Sequence, residues 1–305
     1  MIRHHHSTPQ VPSRVVVLGA SGFVGGDLMN YLREQRIPAV GVSSREIDLT
    51  QVESVAQLAR LCQPSDVIVF ASTITPDKGK DVRTLMRNLA MGEHVAEFLG
   101  KSTCSHVVYV SSDAVYDDTA SPIREDSPCN PASLHGVMHL AREHVMAHAM
   151  QQAKIPVLML RSTLVYGADD THNGYGPNRF VRTALKERTI KLFGEGEEKR
   201  DHLYVRDLSR LIGACILHRS EGVLNAATGH SSSFRGVADL VVACCPDTRL
   251  ECSQRATTIT HRHFDVAATL RAFPAMRFTP MRVGLMAMAT TLGAKTAPGS
   301  TPLAA

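Results

Sequence analysis

No CxxC pair occurs among the seven cysteines, and their number is odd. A disulfide framework is therefore not expected, and a reducing cytoplasm suits such a chain. Cys244 and Cys245, adjacent in an apolar run, read as small core residues. No apolar stretch is long enough to span a bilayer. The basic start at Arg3 leads to His, Pro and Ser, not to the apolar centre of a signal peptide. Charge of one sign is scarce as well. The 33 basic and 29 acidic residues leave a net charge of +4 spread along the chain, so no nucleic-acid or membrane partner is expected. No internal repeat is visible.

What is present is an ordinary globular composition, 44% hydrophobic over 305 residues, enough for one large domain and a smaller part. Histidine is plentiful at 15 residues, three of them in "HHH" at positions 4–6. Residues 1–13 read as disordered or tag-like. From Arg14 onward short β-branched runs alternate with longer amphipathic ones. Strands are expected at 14–20, 38–43, 66–72, 106–112 and 156–162, and helices at 23–35, 52–62, 81–99 and 133–153. This rhythm implies an α/β fold with a parallel sheet covered on both faces. The second half is less regular: a Gly- and Asn-rich loop at 167–178, a helix at 179–187, the turn "FGEGEEKR" and a strand at 222–228. Residues 286–305 read as a flexible tail.

"VVVLGASGFVGGDL" puts Gly19, Gly22 and Gly25 between an apolar strand and a helix. A phosphate can approach only a backbone without side chains there, and the helix start offers free N–H groups to the anion. A dinucleotide is the ligand such a turn takes, with Ser21, Phe23 and Val24 beside it. An acid at the end of the second strand would bind the ribose hydroxyls of NAD. "VSSREIDLT" offers Ser44 and Arg45 instead, which suits the 2′-phosphate of NADP. NADP is therefore favoured over NAD, with Asp48 beside the adenine.

At this point the chain resembles the extended short-chain dehydrogenases/reductases of the NAD-dependent epimerase/dehydratase type. The resemblance covers roughly residues 14–285. It rests on the glycine turn, "YVSSDAVYDD" (109–118), "PASLHGVMHLARE" (131–143), "LRSTLVYG" (160–167), "LFGEGEEKRDHLYVRDLSRLI" (192–212) and "GVLNAATG" (222–229). It implies a Rossmann-type doubly wound sheet over 14–167 and a smaller substrate-binding part, mainly 168–285, interleaved with it. It also implies a nucleotide-sugar substrate and a homodimer. By the same resemblance Leu49, Ala71, Ser72 and Ser111 face the cofactor. Ser112 hydrogen-bonds the reacting sugar oxygen, and Arg200 clamps the diphosphate. Asp113, Asn178 and Arg179 line the sugar pocket, and Asp207 holds a turn.

One departure is large. Family members carry Tyr-x-x-x-Lys on the helix after the fourth strand, and here those positions are His135 and His139. Four residues apart, they share one helical face. A phenol with a pKa near 10 needs a cation beside it to act as a base, whereas an imidazole titrates near 6.5 unaided. His135 can therefore exchange a proton with a sugar hydroxyl, and His139 can hydrogen-bond the cofactor ribose. Three other readings stay open: the pair binds a metal, the pair is inert in a binding protein, or another residue such as Tyr175 or His202 is the base. His144 and His148 repeat the spacing on the opposite face, so spacing alone argues weakly for a metal.

The triplet Ser112, Asp113, Ala114 lacks the Glu that dehydratases of the family use, which argues against water elimination. The remaining expectation is an NAD(P)-dependent epimerase or reductase acting at a hexose carbon, the 4-position foremost. The alternative is a regulatory protein that binds cofactor or nucleotide sugar and does not react.

Overall fold

The computed structural model describes residues 2–101, 104–255 and 258–296. Its strands in chain order are β1 (Arg3–His4), β2 (Val15–Leu18), β3 (Ala39–Val42), β4 (Val67–Phe70), β5 (His106–Ser112), β6 (Val157–Ser162), β7 (Leu164–Tyr166), β8 (Thr189–Phe193), β9 (Lys199–Tyr204), β10 (Ser220–Ala226), β11 (Ser231–Ser233) and β12 (Arg249–Ser253). The helices are α1 (Phe23–Glu34), α2 (Ser54–Leu61), α3 (Val82–Lys101), α4 (Leu134–Ala153), α5 (Pro177–Glu187), α6 (Val205–Leu217), α7 (Phe234–Cys244), α8 (Ala267–Ala272) and α9 (Met281–Thr296).

The apolar runs of β2, β4, β5 and β6 are buried on both sides, and the pleat sorts them. Val15, Val17, Val67, Val69, Val108 and Leu160 pack beneath α1 and α6 with Leu28, Leu32, Leu208 and Ile212. Val16, Leu18, Ile68, Phe70, Val107 and Tyr109 face the opposite way, under α2, α3 and α4, with Leu58, Val95, Phe98 and Met146. Each such side chain contributes about 1.5–3 kcal/mol by leaving water. The seven-stranded sheet has the order β1-β10-β6-β5-β4-β2-β3, parallel except for β1. It is the doubly wound α/β arrangement. Strand order reverses at β2, so the crevice beyond the ends of β2 and β4 is where such sheets take ligands.

A second core joins α5, α7 and α9 through Phe180, Val181, Phe234, Val237, Leu285 and Met288, with Cys245 at its edge. Around it lie the sheets β11-β9-β7 and β12-β8. Among the described residues no helix is long and apolar enough to cross a membrane.

Two expectations need correction. Residues 1–13 are not loose at their start. Arg3 and His4 pair with Glu221 and Ser220 on β10, and the His4 ring meets the Ser220 hydroxyl (2.8 Å) and the Ala272 carbonyl (3.1 Å). The edge of β10 offers backbone partners that composition cannot reveal. Residues 286–296 belong to α9, whose Leu285 and Met288 are fully buried, because Ala and Thr are tolerated in a helix once its apolar side is docked. The rest of the expected tail, 297–305, lies outside the described residues.

Candidate functional site

The glycine turn joins β2 to α1 at the reversal of strand order. Gly19 has φ +96°, and a Cβ there would lie 3.0 Å from the backbone of Ser72. A Cβ on Gly25 would sit 2.2 Å from the carbonyl oxygen of Gly19, so the helix can dock on the turn only without one. Gly22 is the N-cap and gives no side-chain cap, which leaves the first N–H groups of α1 for a ligand.

Two clefts meet at this turn. The first, about 320 Å³, runs over the ends of β2, β3 and β4. Its walls include Gly19, Ser21, Gly22, Ser44, Asp48, Leu49, Ala71 and Ser72. Asp48 accepts the amide (3.0 Å) and hydroxyl (2.8 Å) of Thr50, which hold its carboxyl below the usual range. Glu46 closes the 43–46 turn by accepting the amide and hydroxyl of Ser43 at 2.7 Å each, and Arg45 is exposed and outside the cleft wall. The cations that do line this cleft are Lys78 and Arg87, from a loop and from α3, and nothing in their local sequence signals it.

The second cleft, about 450 Å³, starts from Gly22, Phe23, Val24, Gly25 and Ala71 and reaches Ser111, Ser112, Asp113, His135 and His139. Ser133 caps α4 by accepting the amide of Gly136 at 3.2 Å. A Cβ on Gly136 would lie 2.1 Å from the carbonyl oxygen of Ala114, so this glycine lets α4 close onto the turn after β5. That contact brings His135 and His139 to the same cleft as Ser112. The Ser112 oxygen accepts the amide of Ala114 at 3.1 Å, leaving its own proton to donate. His135 is partly buried, and burial pushes its pKa down to about 4, with His172 and Arg142 adding to the shift. His139 is nearly inaccessible, and burial holds its pKa well below the usual value, helped by His135 and Arg142. The two rings stand edge to face with centres 4.6 Å apart. The expectation of an imidazole titrating near 6.5 is thus corrected downward by desolvation.

Ser111 lines this cleft, but its hydroxyl donates to Glu143 at 2.6 Å. Glu143 also takes two bonds from Arg161, at 3.0 and 2.7 Å, forming a buried fork. Ser111 therefore anchors α4 to the sheet instead of offering its hydroxyl to a cofactor.

The substrate-side expectations fare unevenly. Asp113 lines the cleft. Burial raises its carboxyl pKa, and the guanidinium groups of Arg262 and Arg200 oppose that. Arg262 donates to the Asp113 carbonyl at 2.7 Å and also reaches Asp118. Asn178 is a correction: its amide oxygen accepts from Gly167 (3.0 Å) and its NH2 donates to Val165 (3.3 Å), so it braces β7. Arg179 is exposed and donates to the Asn173 carbonyl at 3.3 Å. Arg200 is paired with Glu198 at 2.6 Å, yet its Nη1 is buried without a partner. Arg255 grips the other oxygen of Glu198 at 2.9 Å. Asp207 holds a turn, accepting the Thr279 amide at 2.6 Å.

Neither alternative base lines the cleft of Ser112. The Tyr175 hydroxyl accepts the Phe193 amide at 2.9 Å, and its ring packs on Phe180, Phe193 and Phe234. His202 is buried, with neither nitrogen partnered, in the wall of a different cleft beside Thr228 and Thr279. Among the described residues no three His, Cys, Asp or Glu side chains converge as a metal site.

Comparison with known proteins follows the same outline. A sequence model described as the NAD dependent epimerase/dehydratase family matches residues 15–227. The chain is 23% identical over 237 residues to an uncharacterised UDP-glucose epimerase of Bacillus subtilis, covering 67% of this chain and 72% of that protein. Among solved structures it resembles the UDP-glucose 4-epimerase of Thermus thermophilus in complex with NAD, with TM-score 0.81, 20% identity and coverage of 93% and 99%. It also resembles a GDP-L-fucose synthetase from Naegleria fowleri, with TM-score 0.86, 16% identity and coverage of 97% and 99%.

Proposed function

The chain belongs to the NAD-dependent epimerase/dehydratase family, and from that membership we propose an NAD(P)-dependent epimerase or oxidoreductase acting on a hexose carried by a nucleoside diphosphate. The observation that carries this reading is the single cleft that holds Ser112, His135 and His139 and continues to the start of α1. The glycine turn fits a dinucleotide, because its close backbone approaches leave no side chain over the helix N-terminus. A bound nicotinamide would supply the two-electron acceptor and donor.

The chain's own residues then divide the work. His135, neutral at pH 7, accepts the proton of a sugar hydroxyl as its carbon is oxidised and returns it on reduction. Ser112 donates its hydroxyl proton to the same sugar oxygen. The hexose 4-position is the reacting centre we favour, in keeping with the Bacillus subtilis and Thermus thermophilus relatives, each named a UDP-glucose epimerase. Asp113 and Arg262 border the sugar end. The exposed Arg45 no longer argues for NADP, so NAD, the cofactor of the Thermus thermophilus complex, takes precedence. A homodimer through the outer faces of α3 and α4 would cover the exposed Met86 and Val137.

The test is turnover of UDP-, dTDP- and GDP-hexoses with NAD, NADH and NADPH by the intact chain. Conversion of one of these sugars supports the reading. Cofactor binding without turnover of any sugar replaces it with a binding protein.

A further inference from the structure

The family's lysine is absent at position 139, yet a cation stands one turn further along α4. Arg142 is fully buried and forms no ion pair among the described residues. Its Nε and Nη2 donate to the Asn88 carbonyl at 2.8 and 2.5 Å, and Nη1 donates to the Ser72 carbonyl at 2.9 Å. The guanidinium carbon lies 4.9 Å from the centre of the Phe70 ring. Space for it comes from α3, where a Cβ on Gly92 would fall 2.8 Å from Arg142 Cγ. A buried charge held by backbone carbonyls is costly unless it has a task.

Tyr109 is fully buried as well, and burial raises its phenol pKa while the Arg142 charge opposes that rise. Tyr109 in turn meets Nδ1 of His139 at 2.7 Å. The buried phenol has one proton, and among the described residues His139 Nδ1 is its only hydrogen-bond partner. That proton therefore goes to Nδ1, and a neutral His139 carries its own proton on Nε2. The groups facing His139 are His135 and Arg142 on α4 and Tyr109 on β5, and the cations among them oppose any charge on the ring.

We propose that Tyr109 is a positioning residue that locks His139 in the Nε2–H tautomer. The ring then presents an uncharged donor to the cleft where relatives present a lysine. That this donor serves a cofactor ribose rests on the function proposed above; the tautomer itself does not.

The experiment is nitrogen NMR of the full chain with ¹⁵N-labelled histidine, the His139 signals being assigned by their loss in His139→Gln. At pH 7 the wild-type ring should show a bare Nδ1 and a protonated Nε2. Tyr109→Phe removes one hydrogen bond, so the tautomer ratio should fall by about fivefold or more. Nicotinamide-dinucleotide affinity should fall in the same variant. A wild-type proton on Nδ1, or a ratio unchanged in Tyr109→Phe, overturns the proposal. A chain that turns over no sugar but keeps the Nε2–H tautomer sinks the enzyme reading alone.

Discussion

The hydroxyl of Tyr109 on β5 lies 2.7 Å from Nδ1 of His139 on α4, and the His139 ring stands edge to face with His135 at 4.6 Å. Sheet, helix and proposed proton carrier are thus linked by two contacts at the reacting end of the cleft. The site is not the family pair with two residues exchanged. It is a pair of histidine rings in edge-to-face contact on the helix that also carries the buried Arg142.

Restoring the family lysine alone should therefore harm the chain. His139→Lys would place an ammonium beside Arg142, and burial with a like charge lowers a lysine pKa. Between that lowered value and about 10.4 the unfolded chain binds more protons, so stability should rise with pH across this window. Urea unfolding at pH 7 should show a loss of about 1–3 kcal/mol relative to the wild type, smaller at pH 9.5. A loss independent of pH would contradict the account.

Four histidines whose pKa burial lowers give the wild type its own acid sensitivity. Burial holds His106, His135 and His202 at about 4 and His139 well below its usual value. Their folded pKa values are depressed below the unfolded 6.5, so the unfolded chain binds the extra protons as pH falls from about 6.5 toward 4. Stability should drop by about 1.4 kcal/mol per pH unit for each such histidine. Melting temperatures at pH 7.5, 6 and 5 read this directly. His106→Asn, which removes one of them, should flatten the slope.

Glu143→Gln should be among the most destabilising surface-silent changes. Glu143 and Arg161 are each only 7% exposed and paired at 2.7 Å, and Ser111 donates to the same carboxylate. Removing one charge of a buried pair costs about 3–5 kcal/mol. Chemical denaturation measures it; a loss below about 1 kcal/mol would show that the fork is dispensable.

The cofactor cleft separates two arginines that look alike on paper. Arg87 lines it and Arg45 does not. Arg87→Ala should weaken dinucleotide binding by about tenfold, the loss of one charge-assisted contact of about 1.5 kcal/mol, while Arg45→Ala should leave it unchanged. Equilibrium titration with NAD and NADPH distinguishes the two.

What the sequence disclosed follows from the range of each signal. The runs around Val15–Leu18 and Val67–Phe70 alternate between two apolar faces, which declares a sheet covered on both sides. Ser133 before "LHGV" is a local cap, and α4 begins there. Gly19 and Gly25 were legible because close backbone approach is a local property, while Ser112 and His135 came from the family resemblance, and the structure places both in one cleft. Arg262 was not, since its carbonyl partner Asp113 lies 149 residues away. The burial of Arg142 was invisible for a similar reason: a charge in an amphipathic run reads as solvated until the neighbouring helix supplies a Gly92 to make room. Asn178 and Arg179 show the converse. They stand in the expected loop-to-helix segment, but the amide is spent on Gly167 and Val165 and the guanidinium faces solvent.

The central claim is that His135 carries the proton, and the most direct test is the pH dependence of kcat/KM in the wild type and in His135→Ala. With the imidazole held near 4, the wild-type rate should stay level from pH 8 down to about 5 and fall only below that, as far as the fold survives. His135→Ala should lose at least about 100-fold in kcat with dinucleotide affinity kept. Full activity in His135→Ala would contradict the account.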